Sequence, residues 1–135
     1  MGKVCFSIAY PSDRAERKKW AKRYGLNAIY AGKHWAERKK DSDYWHWLVL
    51  SALNAQRIKK RPFQRPVRIT FSWHDGMDVD NHAYMAKMIV DALKGRLLVD
   101  DSKRYFTEAV HRFQKEDCIS VEMEEVESEQ GGIPV

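Results

Sequence analysis

The sequence predicts a single small α+β domain in which helices pack against a mixed or antiparallel sheet. The chain has 135 residues, a length that fits one domain. Its hydrophobic fraction of 44% and its aromatic fraction of 12% are typical of a folded globule. The predicted elements run strand, helix, helix, strand, helix, strand, strand. The predicted domain covers residues 1–126, and the acidic, then glycine-containing stretch 127–135 predicts a flexible C-terminal tail.

The N-terminal part of the chain predicts a strand followed by a basic helix. Val4 to Tyr10 is a short, mostly apolar stretch that predicts a strand, and Pro11 ends it. Asp13 is a suitable N-cap for a helix from Arg14 to Tyr24, which Gly25 would end.

A longer helix is predicted after an irregular segment. Leu26 to Lys40 shows no clean period and predicts a loop. The helix is expected to begin near Ser42 or Asp43 and to run to about Lys60. Its apolar positions recur at helical spacing: Trp45, Leu48, Val49, Ala52 and Leu53.

The second half of the chain predicts a strand, a helix and a closing hairpin. Val67 to His74 alternates apolar and polar residues, which is the clearest strand signal in the sequence. A helix is expected from Asn81 to Lys94, with Asp80 as its N-cap and Gly95 at its end. Two further strands are expected to pair as a hairpin: Arg104 to Gln114 and Cys118 to Glu125.

Positive charge is concentrated in the first half of the chain. Up to Arg68 there are 17 Lys or Arg against 5 Asp or Glu, and from Ile69 onward the counts are 7 and 14. This segregation favours a protein that holds a polyanion with one part and a cation with the other. Two solvated faces of opposite charge are the alternative.

Several classes of protein are disfavoured by the sequence. It has no run of about 18 apolar residues, so no membrane span is expected. The N-terminus lacks the layout of a signal peptide. Cys5 and Cys118 lie far apart and near no histidine at ligand spacing, which disfavours a structural zinc site and fits free thiols in the cytoplasm.

Two pairs of aspartates flank the third predicted helix. Asp78 and Asp80 precede it and face the same way if the segment is extended, and Asp100 and Asp101 follow it. Converging carboxylates need a cation, and Mg²⁺ prefers oxygen ligands and activates water for phosphodiester hydrolysis. The predicted helix would span about 21 Å, and a return of the chain through Leu97 to Val99 covers only about half of that distance. A dimer, or a bend that swings Asp78 along the helix, is expected to close the rest.

The same residues have plain structural interpretations. Asp80 caps a helix, and Asp100 with Asp101 forms a polar turn. Lys87 shares a helical face with Asp80, Tyr84 and Asp91. There it would meet a phosphate or the charge of a transition state, or else form an ordinary ion pair with Asp91.

These residues follow one another in a specific order: Asp78-Val79-Asp80-Asn81, Lys87, Asp91-Ala92-Leu93, Gly95 and Asp100-Asp101-Ser102. The string resembles the signature of the RusA family of Holliday junction resolvases. The resemblance is strong over Val67 to Glu125, and Asn27 with Tyr30 is similar to an earlier Asn-x-x-Tyr element of the family. The stretch from Asn81 to Lys87 is a few residues longer than the family pattern.

The resemblance implies a RusA-like, homodimeric, Mg²⁺-dependent endonuclease that resolves four-way DNA junctions by paired nicks, in recombination or repair, often phage or prophage encoded. Carried over by position, Asp78, Asp80, Asp101 and Lys87 are the implied catalytic residues. Asp100 joins the three aspartates as an expected metal ligand. Two alternatives stay open: an inactive module that binds branched DNA, and a less selective branched-DNA or flap nuclease.

Residues of the basic half are the expected DNA contacts. Cationic side chains bind phosphates, and junctions are recognised chiefly through shape and backbone. Trp35, beside His34, is expected either to stack on unpaired bases or to lie in the core. The expected DNA-binding residues are Asn27, Tyr30, Lys33, Arg38, Lys39, Lys40, Lys59, Lys60 and Arg61.

Overall fold

The computed structural model describes residues 2–126. In chain order the elements are β1 (Lys3–Ile8), α1 (Arg14–Tyr24), α2 (Leu26–Tyr30), α3 (Trp35–Ala55), β2 (Val67–Trp73), α4 (Ala83–Leu93), β3 (Phe106–Phe113) and β4 (Ile119–Glu125). A short 3₁₀ helix, Val79–His82, leads into α4. The stretch 127–135, predicted as a flexible tail, lies outside the described residues.

The strands form one mixed sheet in the order β1-β4-β2-β3. β4 lies between β1 and β2 and is antiparallel to both, whereas β2 and β3 are parallel. Parallel neighbours need a crossover connection, and α4 provides it between β2 and β3. The predicted α+β class and the mixed sheet are confirmed.

The predicted closing hairpin of Arg104–Gln114 and Cys118–Glu125 is wrong. Both segments contain strands, but β2 lies between β3 and β4. The connection from β3 to β4 crosses the end of β2, and Gln114 bridges it there. Its backbone N–H donates to the Trp73 carbonyl (2.9 Å), and its side-chain amide donates to the Cys118 carbonyl (2.7 Å). β4 fully buries every second side chain and takes the centre of the sheet, whereas β3 exposes most of its side chains and takes an edge.

The core lies on one face of the sheet, where α4 packs. The predicted inward face of α4 is buried as expected: Met85, Ile89, Ala92 and Leu93. Ala86, Met88 and Val90 are buried too, so α4 is more enclosed than a typical surface helix. Only a narrow strip of α4 reaches solvent, and the charged residues of the helix lie on it.

The first predicted helix and the buried face of the second are confirmed. α1 has the predicted bounds, and the side chain of its N-cap Asp13 accepts a hydrogen bond from the Glu16 N–H (2.9 Å). The apolar face predicted for the second helix is buried or half-buried in α3: Trp45, Leu48, Val49, Ala52 and Leu53.

The predicted loop from Leu26 to Lys40 is wrong. α2 occupies its first five residues, and α3 begins at Trp35 rather than at Ser42 or Asp43. The first turns of α3 are mostly exposed and therefore carry no apolar period to read. The helix start is capped by His34, whose Nδ1 accepts a hydrogen bond from the Ala36 N–H (3.1 Å).

α3 also ends earlier than predicted, at Ala55 instead of near Lys60. Arg57 has a φ of 58°, in the left-handed region that terminates helices. The Ile58 N–H then donates to the Leu53 carbonyl (2.9 Å), which closes the helix end. Because this conformation usually belongs to glycine, the sequence carried no recognisable stop signal there.

A fully buried carboxylate links three helices. Asp41 of α3 accepts hydrogen bonds from the Arg23 guanidinium of α1 (2.9 Å) and from the Tyr84 hydroxyl of α4 (2.8 Å). The Lys33 ammonium, on a side chain only 6% exposed, forms an ion pair with it. A charge taken out of water needs such partners. Lys33, expected to contact DNA, is therefore a structural cation in this fold.

Candidate functional site

The two carboxylates of the first acidic pair are exposed on the segment between β2 and α4. Asp78 precedes the 3₁₀ helix and Asp80 lies in its first turn, so the segment is not extended through both residues. Neither side chain caps a helix, and the residue before α4 is His82, so the prediction of Asp80 as N-cap is wrong. Within residues 2–126, neither carboxylate has a hydrogen-bond or ion-pair partner.

A buried histidine–aspartate pair holds the ends of this acidic segment together. His82 Nε2 lies 2.8 Å from Asp75 Oδ1, and its Nδ1 lies 3.0 Å from the Val79 carbonyl oxygen. Both partners are hydrogen-bond acceptors, and each lies within hydrogen-bond distance of one ring nitrogen. The ring stacks on Trp73 with centroids 4.4 Å apart, and the Tyr10 hydroxyl donates to Asp75 Oδ2 (2.9 Å). The segment is thereby fixed to the ends of β1 and β2.

Asn81 joins the acidic segment to the corner between α1 and α2. Its Oδ1 accepts a hydrogen bond from the Asn27 N–H (2.9 Å). A Cβ on Gly25 would lie 2.8 Å from Asn81 Nδ2 and 3.2 Å from the Ala21 carbonyl oxygen. Since Gly25 has a φ of −73°, close approach rather than a left-handed helix end explains the glycine.

The second acidic pair returns alongside α4. After Gly95, at a φ of 83°, the chain reverses, and the Gly95 N–H donates to the Leu98 carbonyl (2.7 Å). Asp101 Oδ2 then lies 3.3 Å from Lys87 Nζ. Lys87 lies about 11 Å along the helix axis from Asp80. The chain therefore doubles back along α4, but within residues 2–126 the two acidic pairs do not meet.

Four side chains of alternating charge cluster at the exposed strip of α4: Lys87, Asp91, Lys94 and, from the returning segment, Asp101. Asp91 Oδ1 lies 3.0 Å from Lys87 Nζ and 3.2 Å from Lys94 Nζ. Asp101 Oδ2 lies 3.3 Å from both ammonium groups. Hydrogen bonds from Lys87 and Lys94 lower the pKa of Asp101 below its ordinary value. The ion pair between Lys87 and Asp91, left open by the sequence, is present, and the same lysine also reaches Asp101.

Lys94 is the member of this cluster that the sequence reasoning missed. Lys87, Asp91 and Lys94 follow one another at steps of four and three, which places them on one helical face. That spacing was a readable signal. The position of Asp101 beside them was not, because it depends on the chain reversal after Gly95.

The aspartates fit a metal ion only in part. Among residues 2–126 no group of three or more His, Cys, Asp or Glu side chains is arranged to hold one. Asp78 and Asp80 offer unengaged oxygen ligands of the kind that Mg²⁺ prefers. Asp101 is held by lysines that would have to release it, and Asp100 accepts the Ser102 N–H (2.8 Å) in a turn.

Apart from Lys33, the side chains expected to contact DNA have solvent access. Asn27 and Tyr30 lie on α2, and Tyr30 is 80% exposed. Three more lie near the start of α3: Arg38, Lys39 and Lys40. Of these, Lys39 forms an ion pair with Asp43 (3.1 Å). The others follow α3: Lys59, Lys60 and Arg61. Trp35 is 67% exposed, so its alternative assignment to the core is wrong.

Acid should destabilise the protein through two buried carboxylates. Burial raises the pKa of Asp41 and of Asp75, but hydrogen bonds from Lys33 to Asp41 and from His82 to Asp75 help to outweigh burial and lower both pKa values below 3.8. A lowered folded-state pKa gives stability that is present above the unfolded pKa and is lost as the pH falls through the folded value.

We therefore expect the free energy of unfolding to decline steeply below about pH 4. Urea titrations from neutral to acid pH measure this decline, and the Asp41→Asn variant should show a shallower one. An equal slope in the wild type and the variant would contradict the assignment for Asp41.

No protein-family model, curated protein or solved structure matches this chain. The resemblance to the RusA family therefore stays a prediction that rests on the residues themselves. Within the described residues, no helix is both long and apolar enough to cross a membrane. Cys5 and Cys118 are both free thiols, as expected.

Proposed function

We propose that the protein is a Mg²⁺-dependent endonuclease for branched DNA, with the four-way junction as its substrate and a homodimer as its working form. The observation that carries this proposal is the contact between Lys87 and Asp101, which returns the second acidic segment along α4 toward the first. The fold thus supports an active surface made of both segments.

The residues divide the work by their chemistry. Asp78 and Asp80 are exposed, and neither has a protein partner within residues 2–126, so they are the first ligands for a cation. Asp101 would be the third ligand, and it would first have to leave its contacts with Lys87 and Lys94. Mg²⁺, when bound, stabilises the attacking and leaving oxygens of the phosphodiester. Lys87, once released by Asp101, is placed to stabilise negative charge on the phosphate.

The segment that carries the acids is held by hydrogen bonds on both of its sides. The contacts of His82 with Asp75 and of Asn81 with Asn27 fix both of its sides. Catalytic groups that are held by their surroundings lose less free energy on reaching the productive geometry.

A second candidate is a branched-DNA-binding module without catalysis. It is favoured by the neutralisation of Asp101, whose carboxylate already contacts two ammonium groups. In that case the charged strip on α4 is structural, and only the basic residues act on DNA.

Cleavage of a labelled four-way junction distinguishes the candidates. With Mg²⁺ we expect paired nicks on the junction and none on a matched linear duplex, and Asp80→Asn should lower the cleavage rate at least about 100-fold while junction binding persists. Asp43→Asn, an exposed aspartate on α3, is the matched control and should cleave normally. Binding without cleavage under any metal condition would support the module instead, and cleavage of all branched forms would support a less selective nuclease.

A further inference from the structure

A large groove lies beside the acidic segment. It is a groove of about 1090 Å³ between α1 and the segment that follows β2. Small-molecule sites usually measure roughly 300–1,000 Å³, so the volume of this groove lies just above that range. Met77 and Asn81 line it, and the residues between them include Asp78 and Asp80. The groove therefore borders the segment that carries the proposed catalytic carboxylates, although these two side chains do not line it.

One wall of the groove is a row of cations on α1. Arg14, Lys18 and Lys22 recur every four residues, so they share one helical face. All three side chains are exposed, and none has an ion-pair partner within residues 2–126. Arg17, the fourth cation of this wall, is already paired with Asp117 (2.8 Å). The wall thus presents three uncompensated positive charges to whatever lies in the groove.

The groove also contains an exposed aromatic side chain. Phe113, at the end of β3, is 50% exposed and contributes to the lining. Its ring packs edge-on against His82 with centroids 5.9 Å apart, so the buried histidine supports it from beneath. An exposed aromatic opposite a row of cations is the combination that binds single-stranded nucleic acid, with bases stacked on rings and phosphates held by cations.

We propose that this groove binds an unpaired DNA strand, with Lys18 and Lys22 on its phosphates and Phe113 stacked on a base. The inference rests on the proposed function for the identity of the polymer. It names a site that conducts one strand from the basic helix to the acidic segment. An acidic peptide would use the cations but not the aromatic ring, which makes it the outcome to exclude.

The test measures fluorescence anisotropy of a labelled oligothymidine of about 20 nucleotides and of a duplex of equal length, in EDTA. At low salt, Lys18→Ala/Lys22→Ala should weaken single-strand binding about 10-fold. Its log–log salt slope should fall by about 1.4, since each single-strand phosphate contact contributes roughly 0.7. Lys3→Ala/Arg65→Ala removes the same charge near the opposite ends of the strands and should change binding little.

Phe113 separates stacking from charge. Phe113→Ala should weaken single-strand binding about 5-fold or more with an unchanged salt slope and unchanged duplex binding, and Phe113→Tyr should bind like the wild type. The proposal is overturned if the lysine variant loses no more than its control, if Phe113→Ala affects the strand and the duplex equally, or if a polyglutamate peptide competes as well as unlabelled oligothymidine.

The two proposals fail separately. Binding is measured without a divalent metal. If the wild type binds the strand through this groove but never cleaves a junction, the groove proposal is supported and the nuclease proposal is contradicted. If the protein cleaves junctions but its Lys18 and Phe113 variants bind the strand normally, the nuclease proposal is supported and the groove proposal is contradicted.

Discussion

Replacing Asp41 by alanine should lower the free energy of unfolding by about 3–5 kcal/mol, because breaking a buried ion pair on one side leaves an uncompensated charge. The carboxylate is fully buried and accepts hydrogen bonds from Arg23 and Tyr84. The variant also leaves the nearly buried Lys33 ammonium without its counter-ion. Urea denaturation at neutral pH and fixed protein concentration measures the loss.

Asp43→Ala is the matched control for this substitution. Asp43 lies on the same helix and pairs with Lys39 at the surface, where both side chains are 68% exposed. Exposed pairs of this kind contribute about 0.3–0.5 kcal/mol, so the control should unfold nearly like the wild type. The double variant Asp41→Leu/Lys33→Met should recover part of the loss, because it removes both members of the buried pair. A similar stability for Asp41→Ala and Asp43→Ala would contradict the role assigned to Asp41.

The parts of the fold that were predictable are those with a local signal. β2 alternates apolar and polar residues over its whole length, and α1 has a capping aspartate immediately before it. The buried face of α4 repeats at helical spacing. In each case the side chains that specify the element lie within it, so neighbours in sequence were sufficient.

The errors all concern information that lies elsewhere in the chain. The β3–β4 hairpin failed because a strand pairs according to burial across the sheet, and β2 takes the place between them. The start of α3 was predicted too late because its exposed first turns have no apolar period. Its end was predicted too late because Arg57 adopts a backbone conformation that is usual for glycine. No sequence pattern around Asp41 predicted that Arg23, Lys33 and Tyr84 would contact its carboxylate.

The candidate site divides in the same way. The ladder of Lys87, Asp91 and Lys94 follows from helical spacing and could be read from the sequence alone. The approach of Asp101 to Lys87 depends on the chain reversal after Gly95, which no local pattern in the sequence predicts. The pairing of His82 with Asp75 has no periodic signal, because Asp75 lies in a turn and His82 ends a 3₁₀ helix.

Replacing His82 by alanine should cost about 3 kcal/mol of unfolding free energy, since the buried Asp75 carboxylate loses a hydrogen-bond partner. The variant removes the contact with the Val79 carbonyl and the stack on Trp73 as well. Urea denaturation gives the loss. His46→Ala, an exposed histidine on α3, is the matched control and should stay within about 0.5 kcal/mol of the wild type.

A double variant separates the histidine–aspartate pair from simple loss of packing. If His82 acts mainly through Asp75, then Asp75→Asn/His82→Ala should be less destabilised than the sum of the single variants, by about 0.5–3 kcal/mol. Additive losses would instead assign the effect to the cavity that His82→Ala leaves beneath Phe113.

The same variants connect stability to function, because His82 holds the acidic segment and supports the aromatic ring of the groove. At a temperature where His82→Ala remains folded, its amide hydrogens at Met77 and Asn81 should exchange faster than in the wild type, since their acceptors lie on the segment that His82 fixes. Unchanged exchange at both amides would show that the segment keeps its structure without the histidine.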